Sequence, residues 1–409
     1  MIRYPRSLKV LRNFQRSYKV LAIETSCDDT CVALIDRPDV NSPPTLVSHQ
    51  RESLASVIED GGIIPTKAHV LHQQRLGKLV KKTIDEFGNP QIDLVCATRG
   101  PGMPGSLSVG YEFAKGLSIG WNVPIVGVHH MLGHLLIPRM ISNGQSPSFP
   151  CVSLLASGGH TILVYSESVL KHEIIGETID IAAGDAIDKC AKYIGIRGQM
   201  MGKELEKFVF GDDKDTSMHE MVQNYTQLSM DPHLAPVDLP NPLKATPKSV
   251  KVTKYSYSPF ITQMKNASEK YYHGDIQNVA VDIKKILGFE IQDAIFGHTI
   301  YRTKIALNNH KEKIANAKDF VCSGGVGSNK FLRYLLATEL KNQFQRFHFP
   351  DPSLCTDNAV MIGWAGIELF EKEGLTTDLE GISQRKWPLS NILDGADCWV
   401  KSKQNKPPI

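Results

Sequence analysis

Apolar residues along the chain fall into short runs with two distinct periods. Near the start, "YKVLAIETS" and "TCVALID" are nearly continuous apolar stretches separated by "CDD", the pattern of a strand, a turn and a second buried strand. At Pro150 the same shape returns as "PCVSLLA", "SGGH" and "TILVYSE". Two such hairpins about 130 residues apart, each followed by mixed strand and helix, predict a duplicated α/β unit with one hairpin opening each lobe and a cleft between the lobes. "DLVCATRGPGMPGS" (Asp93 to Ser106) and "DFVCSGGVGSN" (Asp319 to Asn329) are further buried-strand runs that end in glycine-rich turns and lead into helices. Glycine lets backbone N–H groups approach a phosphate closely, and a helix start adds partial positive charge. Three such junctions suggest a nucleotide or acyl-phosphate ligand, against the plainer reading that tight turns need glycine for steric reasons. No GxxxxGK[ST] occurs: "GQMMGKE" (Gly198 to Glu204) has the wrong spacing and lacks the hydroxyl residue, so a P-loop enzyme is excluded.

Helical periodicity appears in "KAHVLHQQRLGKLVKKT" (Lys67 to Thr83), where Ala68, Leu71, Leu76 and Val80 form a stripe that suits either a homodimer seam or the chain's own core. The run Gly176 to Gly195 is helical in pattern, with Asp185 and Asp188 on one face. Residues 211 to 259 carry six prolines and little periodicity, and read as an inserted loop within the second lobe. Its end places Lys244, Lys248, Lys251 and Lys254 beside Tyr255 and Tyr257. Basic groups with neighbouring aromatics suit phosphate contact plus base stacking; a solvated lysine loop is the alternative.

Composition narrows the class. With 409 residues, 42% hydrophobic and 22% charged, the chain has ample core for two lobes, and no apolar run reaches the ~18 residues that span a bilayer, so no membrane partner is expected. Eight scattered cysteines without a CxxC pair suggest neither disulfide staples nor a structural zinc. Residues 1 to 19 hold six Lys or Arg and no acid, with Leu8, Val10, Leu11 and Phe14 interleaved, as in a mitochondrial presequence or, alternatively, a basic RNA-binding arm. Removing them leaves 40 basic against 43 acidic residues, so any nucleic-acid binding must use a local patch. The expected organisation is presequence 1–19, first lobe 20–149, second lobe 150–375 and a tail 376–409.

"VGVHHMLGH" (Val126 to His134) raises the question of a metal. Chance placement of 14 histidines gives about 0.4 pairs at spacing four, so the spacing alone proves little. If the segment from His130 to Ile137 is helical, His130 and His134 lie about 40° apart on the helix wheel, whereas His129 and His134 lie about 140° apart. His130 with His134 is therefore the geometric pair, although Gly133 weakens the helix and both rings could simply line a helix start. A third ligand must come from elsewhere.

Taken in order, "LAIETSCDDT", "TRGPGMPGSLSVGYEFAKGL", "GVHHMLGHLL", "SGGHT", "AAGDAIDK", "SGGVGSN", "CTDNAVMIGWAG" and "RKWPL" resemble the tRNA N6-adenosine threonylcarbamoyltransferase family, once described as glycopeptidases, and with the presequence its mitochondrial branch. The resemblance runs from about Tyr18 to about Leu393, apart from the proline-rich insert. It implies the duplicated actin-like fold shared with sugar kinases and Hsp70. It also implies transfer of a threonylcarbamoyl group from threonylcarbamoyl-AMP, made by a separate synthase, to N6 of adenosine-37 in tRNAs reading codons that begin with A, in the mitochondrial matrix. The family's metal ligands match His130, His134 and Asp357, a set that suits zinc or iron, with magnesium as a further option. Its adenylate contacts match Leu155, Ala156, Ser157, Gly158, Gly159, Asp188 and Asn329. Gly202 and Glu206 match a further contact, but Met201 and Lys203 replace the first glycine and the proline of the family's "PGGP". In "IPTKAHVLH" (Ile64 to His72), a segment resembling the family's partner-contact helix, the usual glutamate, serine and arginine are Thr66, His69 and Val70. A homodimer through Lys67 to Thr83 is the expectation that follows. Asp29 and Asp188 are the candidate general bases. Three rivals stand beside this reading: a kinase or ATPase of the same fold, which leaves the metal residues without a role; a metallopeptidase, for which residues 126 to 140 contain no general-base glutamate; and a non-enzymatic scaffold.

Overall fold

A computed structural model describes residues 17–53, 63–198, 200–211, 216–231, 239, 242–243, 252–274, 276–393 and 398–401. The first hairpin forms as expected: β1 (Tyr18–Glu24) pairs antiparallel with β2 (Asp29–Arg37), which pairs with β3 (Thr45–Ser53). Parallel to β1 runs β4 (Leu94–Gly100), and parallel to β4 runs β5 (Ile125–His129). β1 and β4 are buried almost throughout, which explains why they read as unbroken apolar runs. In the second half, β6 (Cys151–Ala156), β7 (Thr161–Ser166) and β8 (His172–Thr178) form the antiparallel meander. The short β9 (Lys254–Tyr255) adds beside β8, while β10 (Asp319–Ser323) and β11 (Arg346–His348) run parallel on the other side of β6. The order β3-β2-β1-β4-β5 therefore recurs as β8-β7-β6-β10-β11. The chain is a mixed α/β protein built on a duplicated unit, as the paired hairpins predict.

The chain returns to the first unit at its end. Pro147–Thr356 form one compact unit, but Asp357 and the residues after it join the first. This corrects the expected second lobe of 150–375 and the expected free tail of 376–409. The helix Ala359–Glu373 is buried from Ala359 to Leu369 and packs on β1, β2, β4 and β5. Gly366 allows this approach, since a Cβ there would run into the Cys96 side chain. Beyond it, β12 (Leu375–Thr377) pairs with β5 and with β13 (Trp399–Lys401).

Other expectations need adjustment. The stripe on the helix Pro65–Glu86 faces inward: Ala68, Leu76, Leu79 and Val80 are buried, and the last three pack with Leu21, Ile23, Val32 and Val95. Ala68, Leu76 and Val80 of the stripe thus belong to the chain's own core, whereas Leu71 is half-buried. Gly176 to Thr178 end β8, and only Ala183–Tyr193 is helical, because the β-branched and glycine-containing start of that run completes the meander. The proline-rich insert is not all loop. Its Met218–Ser229 forms a helix with a Ser217/Glu220 capping box. Tyr255 and Tyr257 are 1% and 0% exposed, their hydroxyls 2.9 Å from those of Thr303 and Thr299, so neither ring can stack on a base. Lys254 pairs with Glu177; Lys244, Lys248 and Lys251 lie outside the described residues, as does the presequence up to residue 16. Tyr18 and Lys19 belong to β1, so a presequence ending at 19 would remove two residues of the sheet. None of the eight cysteines is in a disulfide, and no helix among the described residues is long and apolar enough to cross a membrane.

Candidate active site

In the first unit β5 delivers His129 and passes straight into the short helix His130–Leu136, whose residues are all buried. His129 caps this helix: its Nδ1 accepts from the Met131 N–H at 3.1 Å, and its Nε2 lies 2.9 Å from the Trp387 carbonyl. With both nitrogens engaged, His129 is unsuited to ligation. One turn apart, the His130 and His134 rings stand edge to face with centroids 4.9 Å apart. Asp357, just ahead of the helix Ala359–Glu373, meets both: its Oδ1 lies 3.5 Å from His130 Nε2 and 3.1 Å from His134 Nε2. Tetrahedral ligands at ~2.1 Å from zinc are separated by about 3.4 Å, close to both distances.

The donor set fits a cation in two further respects. Burial works against a charged His130, yet Asp357 and Glu24 outweigh it and lift the ring to about 9, so the group of side chains favours a positive charge among them. His134 Nδ1 is buried without a hydrogen-bond partner, so no hydrogen bond there fixes its tautomer. These three residues are a candidate metal site.

Also in this unit, Asp29 at the start of β2 pairs with Arg51 at 2.7 Å. Burial raises its carboxyl to about 6 despite the pull of Arg51, and its Oδ1 has no hydrogen-bond partner. Residues the motifs did not single out are Glu24 and Ser26, which meet His130 Nδ1, and Thr98, which donates to Glu24. A glutamate ending an apolar strand, in "LAIETS", is the signal that points to them.

The second unit gathers the expected adenylate contacts at one end of its sheet. Leu155 and Ala156 are buried in β6 and paired within the sheet. Ser157 Oγ accepts from the Gly159 and His160 N–H groups at 3.3 and 3.0 Å, and the space around Gly158 and Gly159 is open. The neighbouring β10 is followed by Gly324, whose φ of +92° suits glycine and where a Cβ would strike the Ala156 carbonyl. The start of the helix Ala183–Tyr193 touches the same turn through the Gly184 N–H to Ser157 carbonyl bond of 3.2 Å. Asp188, on that helix, is raised by burial against the effect of the Gly202 N–H, which it accepts at 2.8 Å. Despite its altered motif, "QMMGKE" thus presents Gly202 to Asp188. Glu206 accepts the Lys330 N–H at 2.8 Å, and Asn329 caps the helix Lys330–Glu339 through Leu332 N–H while donating to Gln292.

The family model described as tRNA N6-adenosine threonylcarbamoyltransferase (TsaD) matches residues 45–364. The chain belongs to this family. It is 36% identical to the mitochondrial tRNA N6-adenosine threonylcarbamoyltransferase of Schizosaccharomyces pombe, with 98% of this chain and 96% of that relative covered. The family is one of transferases, and the relative acts on tRNA and is named mitochondrial. Solved structures resembling the chain include HypF of T. kodakarensis, 12% identical over 88% of this chain and 48% of that one with a TM-score of 0.49. Another is the activator of 2-hydroxyisocaproyl-CoA dehydratase from Clostridium difficile with bound ADPNP, 12% identical over 87% and 97% with a TM-score of 0.44.

Proposed function

We propose that the chain transfers the threonylcarbamoyl group of threonylcarbamoyl-AMP, supplied by a separate synthase, to N6 of adenosine-37 in tRNAs reading codons that begin with A, in the mitochondrial matrix. The observation that carries this is the convergence of His130, His134 and Asp357 in a chain of this family, with His129 tied to main chain. The adenine amine is a weak nucleophile because its lone pair is delocalised into the ring, so activation must act on the acyl donor. His130, His134 and Asp357 would hold one divalent ion, zinc or iron ahead of magnesium for two imidazoles and a carboxylate. When bound, such an ion supplies Lewis-acid charge for the oxygens of a mixed anhydride.

The exposed turn Gly158–Gly159 offers the Gly158 N–H to the AMP phosphate, and Asp188 has an oxygen to accept from ribose hydroxyls. Glu206 and Asn329 hold the helix start beside the second glycine turn in place. Asp29, with a pKa of about 6, is ionised at neutral pH and can accept the N6 proton as the new bond forms; Asp188 is the second candidate.

The test is incubation of the purified chain with tRNA and premade threonylcarbamoyl-AMP, followed by nucleoside mass spectrometry. Modified adenosine and AMP should appear in equal amounts. Robust conversion of ATP to ADP, with no modified adenosine when the adenylate is supplied, would establish the kinase or ATPase reading instead.

A further inference from the structure

We propose that Glu24 is a positioning residue that fixes the tautomer of His130 and so directs its Nε2 to the metal. The inference rests on the metal reading above and concerns a carboxylate that reading does not use. Glu24 ends β1, is 0% exposed and has His130 as its ion-pair contact. Its Oε1 accepts the Ser26 N–H at 2.6 Å, its Oε2 accepts the Thr98 hydroxyl, and the same Oε2 lies 3.3 Å from His130 Nδ1. A backbone N–H can only donate, so the Ser26 contact favours an acceptor at Oε1. With both oxygens accepting, Glu24 offers His130 lone pairs, and Nδ1 carries the hydrogen between them. Ser26 Oγ, 3.0 Å from Nδ1, shares that hydrogen or takes it in place of Glu24.

With Nδ1 keeping its hydrogen, Nε2 is the nitrogen that gives up a proton to bind an ion, and it is the atom that lies 3.5 Å from Asp357 Oδ1. A carboxylate behind a ligating imidazole also raises the ring's basicity as a ligand, and loss of such a partner weakens metal binding by about 10–100-fold. His134 lacks this support, because its Nδ1 is buried without a partner. The two ligands therefore differ: His130 is held in advance, whereas no hydrogen bond at Nδ1 fixes His134. This role accounts for a charged group at the end of an otherwise apolar strand.

The experiment loads the full chain with Co²⁺ and measures affinity by chelator competition, together with the hyperfine-shifted ring N–H protons by NMR. Glu24→Gln keeps the shape but presents an amide that can donate to Nδ1 and drive the hydrogen to Nε2. It should weaken Co²⁺ binding about 10–100-fold and remove one slowly exchanging ring N–H signal, with cooperative thermal unfolding of the metal-free protein retained. Thr98→Val, which removes the hydroxyl holding Oε2, should weaken binding several-fold and is the variant to use if Glu24→Gln does not fold. Wild-type affinity and an unchanged ring N–H spectrum in a folded variant would overturn the inference. Absence of Co²⁺ binding in the unaltered chain would instead overturn the metal reading itself.

Discussion

At the residue scale, each of the three clustered histidines has a distinct position. His130→Ala or Asp357→Ala should abolish stoichiometric metal, measured by elemental analysis after gel filtration. His129→Ala should retain it, because His129 uses its nitrogens on Met131 and Trp387. A different histidine sets a pH dependence. Burial, and then the Arg302 charge, lower His298 from 6.5 to about 4, and its Nε2 accepts the Ser256 N–H at 3.2 Å, a bond that protonation would break. The native ring stays neutral where the unfolded ring takes up a proton. Its contribution is therefore complete above about pH 6.5, falls as pH drops towards 4, and is level below that, on the order of 3 kcal/mol in total. Unfolding curves between pH 7 and 4 should show this slope, and His298→Gln should flatten it.

Elements were legible where one period and one environment coincide. The hairpins opening each unit and the strand-to-glycine turns stand where the apolar runs place them, because buried strands of five to nine residues leave little freedom in register. The helix Pro65–Glu86 was readable as a helix but not as to what its stripe touches, since a core face and a dimer seam have the same spacing. With Leu76 buried beside Leu79 and Val80, Leu76→Ala should cost about 2–5 kcal/mol in denaturant unfolding while leaving the molar mass by light scattering unchanged. Neighbouring lysines and tyrosines misled in the other direction, because composition does not report which way a side chain points. Tyr257→Phe should lower stability by about 1 kcal/mol and leave the salt dependence of tRNA binding as it was, since its hydroxyl serves Thr299. At the site, spacing alone selected His130 and His134, whereas Asp357, more than two hundred residues away, was reachable only through the family resemblance. Glu24 could be read as an oddity in a strand, but its partner could not.

For the whole molecule, the feature with the widest consequence is the return of the chain at Asp357 to the unit it began. The residues from Pro147 to Thr356 are contiguous, so this part of the molecule can fold as soon as it has emerged from a ribosome or an import channel. The part made first has to wait. Until Ala359–Glu373 arrives, β1, β2, β4 and β5 lack the helix that covers one side of their sheet, and His130 and His134 lack Asp357. Arrested chains that end at Thr356 should therefore show a protease-resistant Pro147–Thr356 core, with the earlier residues digested and no ion retained. Extending the chain past Glu373 should protect the earlier residues and restore ion retention in the same step. Synthesis from the N-terminus thus makes the last segment to appear a check on the first: a chain cut short by a premature stop holds no cation and presents an open sheet to quality control.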